Sequence, residues 1–336
     1  LYYIKKIHNS SFQDILYVTT NTLTVTMGLI KICIILIHKR EFISLITYMQ
    51  RNFWNVNYDT REKEILNNCR KTCTFFVCSV SAIGICAMLA YLSTPLITNA
   101  GKNKSERILP FNVWLNLPVS ISPYYEIGFL IQRSVIFASI TFSASWPYIH
   151  LTGQFRILRY RFAKLCDMEH QITEKDTGLM ITKHVHTFYE QLKLYIRQHQ
   201  TLIDFCNKLE DIYTMLIFGQ VLVFSVLICL FAYQGLVAAP FARRSIFVFL
   251  LIGSMALLFM FTYSCDGVIE HSEKVAIGAY SALWTIMPMN KPGRMLRNDL
   301  IMVIERSRRV CCLTANKFFP VSLETYTTVD IVSTLQ

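Results

Sequence analysis

YTMLIFGQVLVFSVLICLFAYQGLVAAPFARRSIFVFLLIGSMALLFMFTYSC, residues 213–265, decides the fold. The run Tyr213–Ala239 carries no charge, nor does Ser245–Cys265, and only Arg243 and Arg244 stand between them. A helix needs roughly 20 predominantly apolar residues to cross a bilayer, and each run is long enough. Lipid offers no partner to backbone N–H and C=O groups, so only helices and closed barrels cross it. Unbroken apolar runs of this length select helices. The stretch therefore predicts two membrane helices joined by a short basic turn.

Working outward, three more windows have the same character: Ile15–Ile37 (rich in Thr), Cys73–Ile97 and Ile127–Ile149. A sixth apolar segment begins near Phe318 and reaches Gln336 before it is long enough to cross. The chain has 336 residues, 53% hydrophobic and only 16% charged, against about a quarter charged in soluble domains. The charge that remains crowds between the apolar windows. The expected fold is all-α, a polytopic integral membrane bundle in one domain, residues 1–336. Its spans are 15–37, 73–97, 127–149, 213–239 and 245–265, with a partial one at 318–336.

Orientation follows from the basic residues. They crowd about threefold into alternate segments: after the first span (Lys39 to Lys71), after the third (Arg156 to Lys208) and after the fifth (Lys274 to Lys317). Cytoplasmic loops collect Lys and Arg, so these segments are expected inside. That topological cause also accounts for the net charge of +11, and no zinc-finger spacing, basic arm or RNA-binding signature points to nucleic acid. Two glycosylation sequons, at Asn9 and Asn103, fall on the opposite side.

The inner segments carry helical stripes. Ile181, Val185, Phe188, Leu192, Tyr195, His199, Leu202, Cys206 and Leu209 recur at steps of four and three, running into the fourth span. Phe155, Leu158, Phe162 and Leu165 make a second stripe leaving the third span; Phe42, Leu45, Ile46, Met49 and Phe53 make a third. Asp59 with Glu62 has the spacing of a helix-capping pair. Such stripes must bury against one another, so a packed cytoplasmic layer is expected over about 151–212 and 266–317.

Chemistry has little to stand on. No phosphate-binding Gly loop, HExxH, CxxC or nucleophile elbow occurs, so no catalytic residue, metal or cofactor is expected. His184 and His186 read as surface histidines, and His199, on its apolar stripe, as a packed core histidine. The eleven cysteines include several inside apolar windows, where they act as small hydrophobes. The pair Cys311–Cys312 falls on the inner, reducing side. Lys31 sits where it can snorkel to the headgroups, and Asp266 closes the fifth span as a solvated residue. Arg133 within the third span is a candidate for a pairing or ligand role. Tyr17, Met88, Tyr91, Phe129, Phe137 and Phe247 lie in the outer halves of the spans. They read first as helix packing, but an apolar ligand pocket uses the same residue types, with Asn21 and Gln132 as orienting polar groups.

The run Met287–Tyr326, MPMNKPGRMLRNDLIMVIERSRRVCCLTANKFFPVSLETY, resembles the C-terminal signature of insect odorant receptors. Ile304–Ser307, Leu313–Ala315 and Phe318–Leu323 carry the likeness, with Ala279, Tyr280 and Trp284 upstream. Leu109–Phe111, Trp114 and Ser122–Glu126 are similar to the family's second external loop, and Arg40–Ile46 to the start of the loop after its second helix. The resemblance implies seven helices with a cytoplasmic N-terminus, the five spans being family helices two to six, with one helix before Leu1 and more of the last after Gln336. It implies a subunit of a ligand-gated, non-selective cation channel for small volatile organic molecules. That channel is a heterotetramer with a shared odorant co-receptor, in the plasma membrane of olfactory sensory neurons and surrounded by membrane lipid. It also implies an outer ligand pocket, an inner anchor between subunits, and a pore lined by the last helix, here Val321, Thr325, Thr328 and Val329. Three alternatives stand beside it: a gustatory receptor, a G-protein-coupled receptor or transporter of opposite orientation, and a truncated receptor that does not conduct.

Overall fold

Helix lengths show where the membrane must stop. The computed structural model describes residues 12–54, 56–99, 146–167, 178–237, 241–281 and 291–334. Its helices are α1 (Phe12–Ile37), α2 (Lys39–Met49), α3 (Thr60–Asn99), α4 (Trp146–Asp167), α5 (Gly178–Val237), α6 (Phe241–Tyr280), α7 (Lys291–Arg308) and α8 (Leu323–Thr334). Two short strands, β1 (Thr314–Ala315) and β2 (Phe319–Pro320), lie between α7 and α8. Helix α5 has 60 residues, about 90 Å at the usual rise and about three times the hydrocarbon thickness. Its first part carries Lys193, Arg197, Asp204, Lys208, Glu210 and Asp211, which lipid cannot hold, so only the end after Tyr213 lies in the membrane.

Among the described residues, α3, α5 and α6 each contain a stretch long and apolar enough to cross a membrane. The pair α1 and α2, bent by 70° across His38, counts as a fourth if taken as one broken span. The window 127–149 lies mostly outside the described residues. After α2 the chain widens into one π-helical turn, Gln50–Trp54. The start of α3 then uses the expected capping pair: Asp59 N–H donates to Glu62 Oε2 at 3.0 Å, and Asp59 Oδ1 accepts Thr60 N–H at 2.7 Å.

Burial is inverted relative to a soluble protein. Over the spans, large apolar side chains are exposed, among them Leu36, Phe75, Ile85, Leu222, Leu236 and Ile252. Below them lies the main core. Phe155, Leu158, Phe162, Leu192, Leu202, Phe205 and Leu209 are fully enclosed, joined by Leu45, Met49, Val275, Leu300 and Leu313. The described core members of the three stripes are thus buried together, at 0–3% exposure for Leu45, Met49, Phe53, Phe155, Phe162 and Leu192. Helix α6 is the hub and touches α3, α4, α5, α7 and α8. A second cluster, Val80, Phe224, Phe231, Phe247, Leu257 and Met260, joins α3, α5 and α6 at membrane level.

Candidate functional site

Two polar links cross between α1 and α5 inside the membrane. Lys31 does not snorkel. It is 1% exposed, and its Nζ donates to Gln220 Oε1 at 2.9 Å, 5.5 Å from the centre of the Phe224 ring. A long flexible ammonium reaches the headgroups only if its helix face meets lipid; here that face meets α5, and the nearest acceptor is an amide. Higher up, Gln234 Nε2 donates to Thr20 Oγ1 at 2.8 Å, both residues buried. An amide or hydroxyl in hydrocarbon is costly without a partner, so these pairs fix how α1 and α5 lie together.

The predicted ligand residues separate into groups. Phe247 is described, 1% exposed, and packed on Phe231 at 6.4 Å within the membrane-level cluster. It forms a wall between α5 and α6 rather than an open surface. Tyr17, Asn21, Met88 and Tyr91 fall on α1 and α3, but their side chains lie outside the described ones, as do those of His184, His186 and Val329. Phe129, Gln132, Arg133, Phe137 and the sequons at Asn9 and Asn103 lie outside the described residues altogether.

At the inner end the last helix is fastened to its neighbours by a small hairpin. β1 and β2 pair antiparallel, Thr314 opposite Pro320 and Ala315 opposite Phe319. The turn closes with Phe318 N–H on Ala315 O at 3.0 Å, with Asn316 and Lys317 both at positive φ, 51° and 63°, as the tight hairpin turn that suits strand twist requires. Thr214 of α5 seats the hairpin: its Oγ1 donates to Thr314 O at 3.2 Å and accepts Asn316 N–H at 3.0 Å. Thr314 Oγ1 also bonds Glu210, and Phe318 packs on Phe218 at 5.7 Å. Asp266, expected to be merely solvated, accepts the N–H of Leu323 at 3.4 Å, at the first turn of α8. Carboxylates favour helix N-termini, whose free N–H groups carry partial positive charge. One turn on, Tyr326 meets Phe259 of α6 edge to face at 5.5 Å.

This arrangement alters the expected pore face. Val321 is fully buried in the core, its N–H donating to Leu313 O at 2.9 Å, so it does not face outward in the subunit. Thr325 spends its hydroxyl on the helix start, donating to Pro320 O and accepting from Ser322 N–H, both at 3.3 Å. Among the described side chains of α8, Glu324, Thr327 and Thr328 are exposed.

Beneath the membrane, a polar clasp joins α3, α4 and α5. Arg161 donates from Nε to Glu62 Oε1 at 2.6 Å, from Nη2 to Glu62 Oε2 at 3.1 Å, and from Nη1 to Gln198 Oε1 at 2.7 Å. Burial pushes the Glu62 carboxyl up, but the Arg161 bonds and the Asp59 N–H outweigh it and the pKa is lowered. Nearby, α5 and α7 leave a groove of about 420 Å³, lined by His199, Ile203, Asp204, Asp299, Met302 and Arg306. Burial, helped by the Arg306 charge, lowers the His199 pKa to about 4, consistent with a neutral packed imidazole. No group of three or more metal-binding side chains occurs among the described residues.

A bundle of long apolar helices, with a packed layer below the spans and a short last helix clamped to α5 and α6, is a multi-pass membrane protein. The sequence pattern of the 7tm odorant receptor family matches residues 11–331, and the chain belongs to that family. Odorant receptor 13a of Drosophila melanogaster is 21% identical over 338 residues, 95% of this chain and 78% of that receptor. Odorant receptor 10 of Aedes albopictus is 23% identical over 61% of this chain, which there spans about half, 52%, of the relative. In fold, the chain is similar to the insect olfactory receptor OR5 from Machilis hrabei, with a TM-score of 0.74 at 15% identity, over 99% of this chain and 82% of that one. The same receptor solved in complex with eugenol gives 0.72 at 16% identity, over 97% of this chain and 81% of that one.

Proposed function

We propose that the chain is the odorant-sensing subunit of a ligand-gated, non-selective cation channel, assembled as a heterotetramer with a shared co-receptor in the plasma membrane of olfactory neurons. The observation that carries this reading is the fastening of α8. Its first turn hangs from Asp266 of α6, and the hairpin before it hangs from Thr214 and Glu210 of α5. Any ligand that shifts α5 and α6 in the outer half of the membrane therefore moves the start of α8. A ligand biases such a change only by binding one state better than the other.

The odorant pocket lies in the outer half, among Tyr17, Asn21, Met88, Tyr91, Phe129, Gln132, Arg133 and Phe137, with Phe247 as a wall from behind. OR5 in complex with eugenol is a receptor of this fold holding a small molecule. The pore face of α8 is Glu324, Thr327 and Thr328 rather than Val321. The basic segments after the first, third and fifth spans face the cytoplasm, and the layer at 151–212 and 266–317 is the anchor between subunits.

The test is whole-cell current from cells expressing the chain with and without the co-receptor, under a panel of volatile esters, alcohols and phenols. Current is expected only with both subunits, and Glu324→Gln is expected to alter cation selectivity or block. Odour responses from the chain alone would overturn the heteromer. Unaltered permeation in the Glu324 and Thr328 variants would remove α8 from the pore.

A further inference from the structure

We propose that the groove between α5 and α7 is a second ligand site, which takes a small organic cation: an ammonium group carried on an apolar body. The groove belongs to the packed layer below the spans, away from the outer pocket, and the proposal does not depend on the channel reading above. Its volume of about 420 Å³ falls within the range of small-molecule pockets, roughly 300–1,000 Å³.

His199 is the residue that points to a ligand. It is 4% exposed, and what remains open of it lines the groove. Its ring has no hydrogen-bond partner among the described residues. A neutral imidazole carries one N–H donor and one acceptor nitrogen, and polar atoms enclosed by protein without a partner are costly. Around it stand charges that are also uncommitted. Asp299 is half-buried and Asp204 exposed, both line the groove, and neither carboxylate is ion-paired among the described residues. The one cation of the lining, Arg306, already gives its Nη1 to Arg309 O at 3.0 Å.

Two carboxylates against one guanidinium make this lining net acidic, so an anion would set its charge against the majority. An ammonium brings three donors and no acceptor, the complement of carboxylate oxygens and an imidazole nitrogen. The apolar part of the ligand follows from the rest of the lining. Ile203 and Val303 form a buried floor, and Met302 stands 67% exposed beside them. An apolar body laid on these side chains takes the adaptable Met302 thioether out of water. A ligand held this way ties α5 to α7, the helix that leads through the hairpin to α8, and stabilises the bound arrangement by mass action.

The experiment uses para-fluorophenethylamine, an ammonium on an aromatic body, and para-fluorophenethyl alcohol, the same skeleton without the charge. Fluorine NMR line widths are followed as the intact receptor in detergent is added, with empty micelles as the blank. Saturable broadening of the amine is expected. Asp204→Asn with Asp299→Asn should weaken it by about tenfold to a hundredfold, the size that losing charge-assisted hydrogen bonds implies. His199→Phe, which keeps a ring and removes the nitrogens, should weaken it several-fold. Raising the salt from about 50 to about 500 mM should weaken the amine through screening. The alcohol, including any of it held in the outer pocket, should be indifferent to salt and to all three substitutions. Both aspartates reach the surface and their amides keep the same shape, so an unchanged melting point in the double variant separates lost binding from lost folding. Amine affinity unchanged in the variants, an alcohol weakened as much as the amine, or no saturable broadening of the amine overturns the proposal. Binding to the receptor alone that disappears in its complex with the co-receptor also overturns it, and gives the groove to the interface between subunits.

Discussion

At the scale of single residues, the described part of the molecule depends on polar groups that chose partners rather than water. His199 shows the cost. Its imidazole faces Arg306, Asp204 and Asp299 across the groove and is 4% exposed. Its pKa falls from 6.5 to about 4. The unfolded chain therefore takes up the proton first as pH falls. Stability from this residue is complete above about pH 6.5, declines through the interval, and levels off below about 4, a loss on the order of 3 kcal/mol. Melting temperatures in detergent from pH 7.5 to 4.5 should drop more steeply in the native chain than in His199→Gln. His271, also lowered to about 4 by burial first and the Arg156 charge next, titrates in both and cancels in the comparison. Parallel curves would mean that His199 is protonated in the fold or that its site opens before it titrates.

At the scale of elements, the question is why α4 and α6 approach so closely. An ideal Cβ on Gly278 would lie 2.7 Å from the Arg159 carbonyl oxygen and 3.2 Å from its Cα. Both are backbone atoms that cannot rotate away. Alanine is the better helix former by about 1 kcal/mol, yet Gly278→Ala should destabilise, because the helices must separate; overpacking costs typically 1–3 kcal/mol. Gly219→Ala is the matched control: its Cβ would meet only Met27 Cε at 4.0 Å, so it should be neutral or mildly stabilising. Thermal unfolding followed by size-exclusion fluorescence compares the two, and equal melting points would show that α4 and α6 are not held at this distance. Element by element, legibility depended on how local the cause was. The long apolar stretches of α3, α5 and α6 were legible because lipid demands long uncharged runs, and the described core members of the stripes because helices bury one apolar face as soluble proteins do. The capping pair at Asp59 and Glu62 was legible for the same local reason. The hairpin was not. Lys317 takes a positive φ with no glycine to announce it, and Phe319–Pro320 pairs with Thr314–Ala315, so an apolar segment that reads as helix from Phe318 begins its helix at Leu323. Lys31 was misread because its partner, Gln220, lies 189 residues away, beyond any periodicity. Asp266 and Val321 failed likewise, since their roles depend on α8 folding back onto α5 and α6.

At the scale of the whole molecule, the anchor and the pore both depend on which way the bundle sits. Two physical arguments converge. The alternating crowding of Lys and Arg places the segments after the first, third and fifth spans inside. The same segments hold the main core, since Leu45, Phe155, Phe205, Leu300 and Leu313 come from them and form one cluster. A single inversion cannot move one of these segments without the others, because the Arg161–Glu62 clasp and the shared core bind them into one body on one side. Glycosylation therefore gives an all-or-none answer. The native acceptor at Asn103 should carry a glycan, seen as a glycosidase-sensitive mobility shift that is lost in Asn103→Gln. New Asn-X-Ser acceptors introduced in the segment between Asp167 and Gly178, or between Tyr280 and Lys291, should stay bare on the Asn103→Gln background. Modification of both new sites with a bare Asn103 would reverse the bundle and put the packed layer on the outer side. Modification of only one would be harder to reconcile with the shared core than either orientation, and would mean that α4, α5, α6 and α7 do not pack below the membrane as one layer.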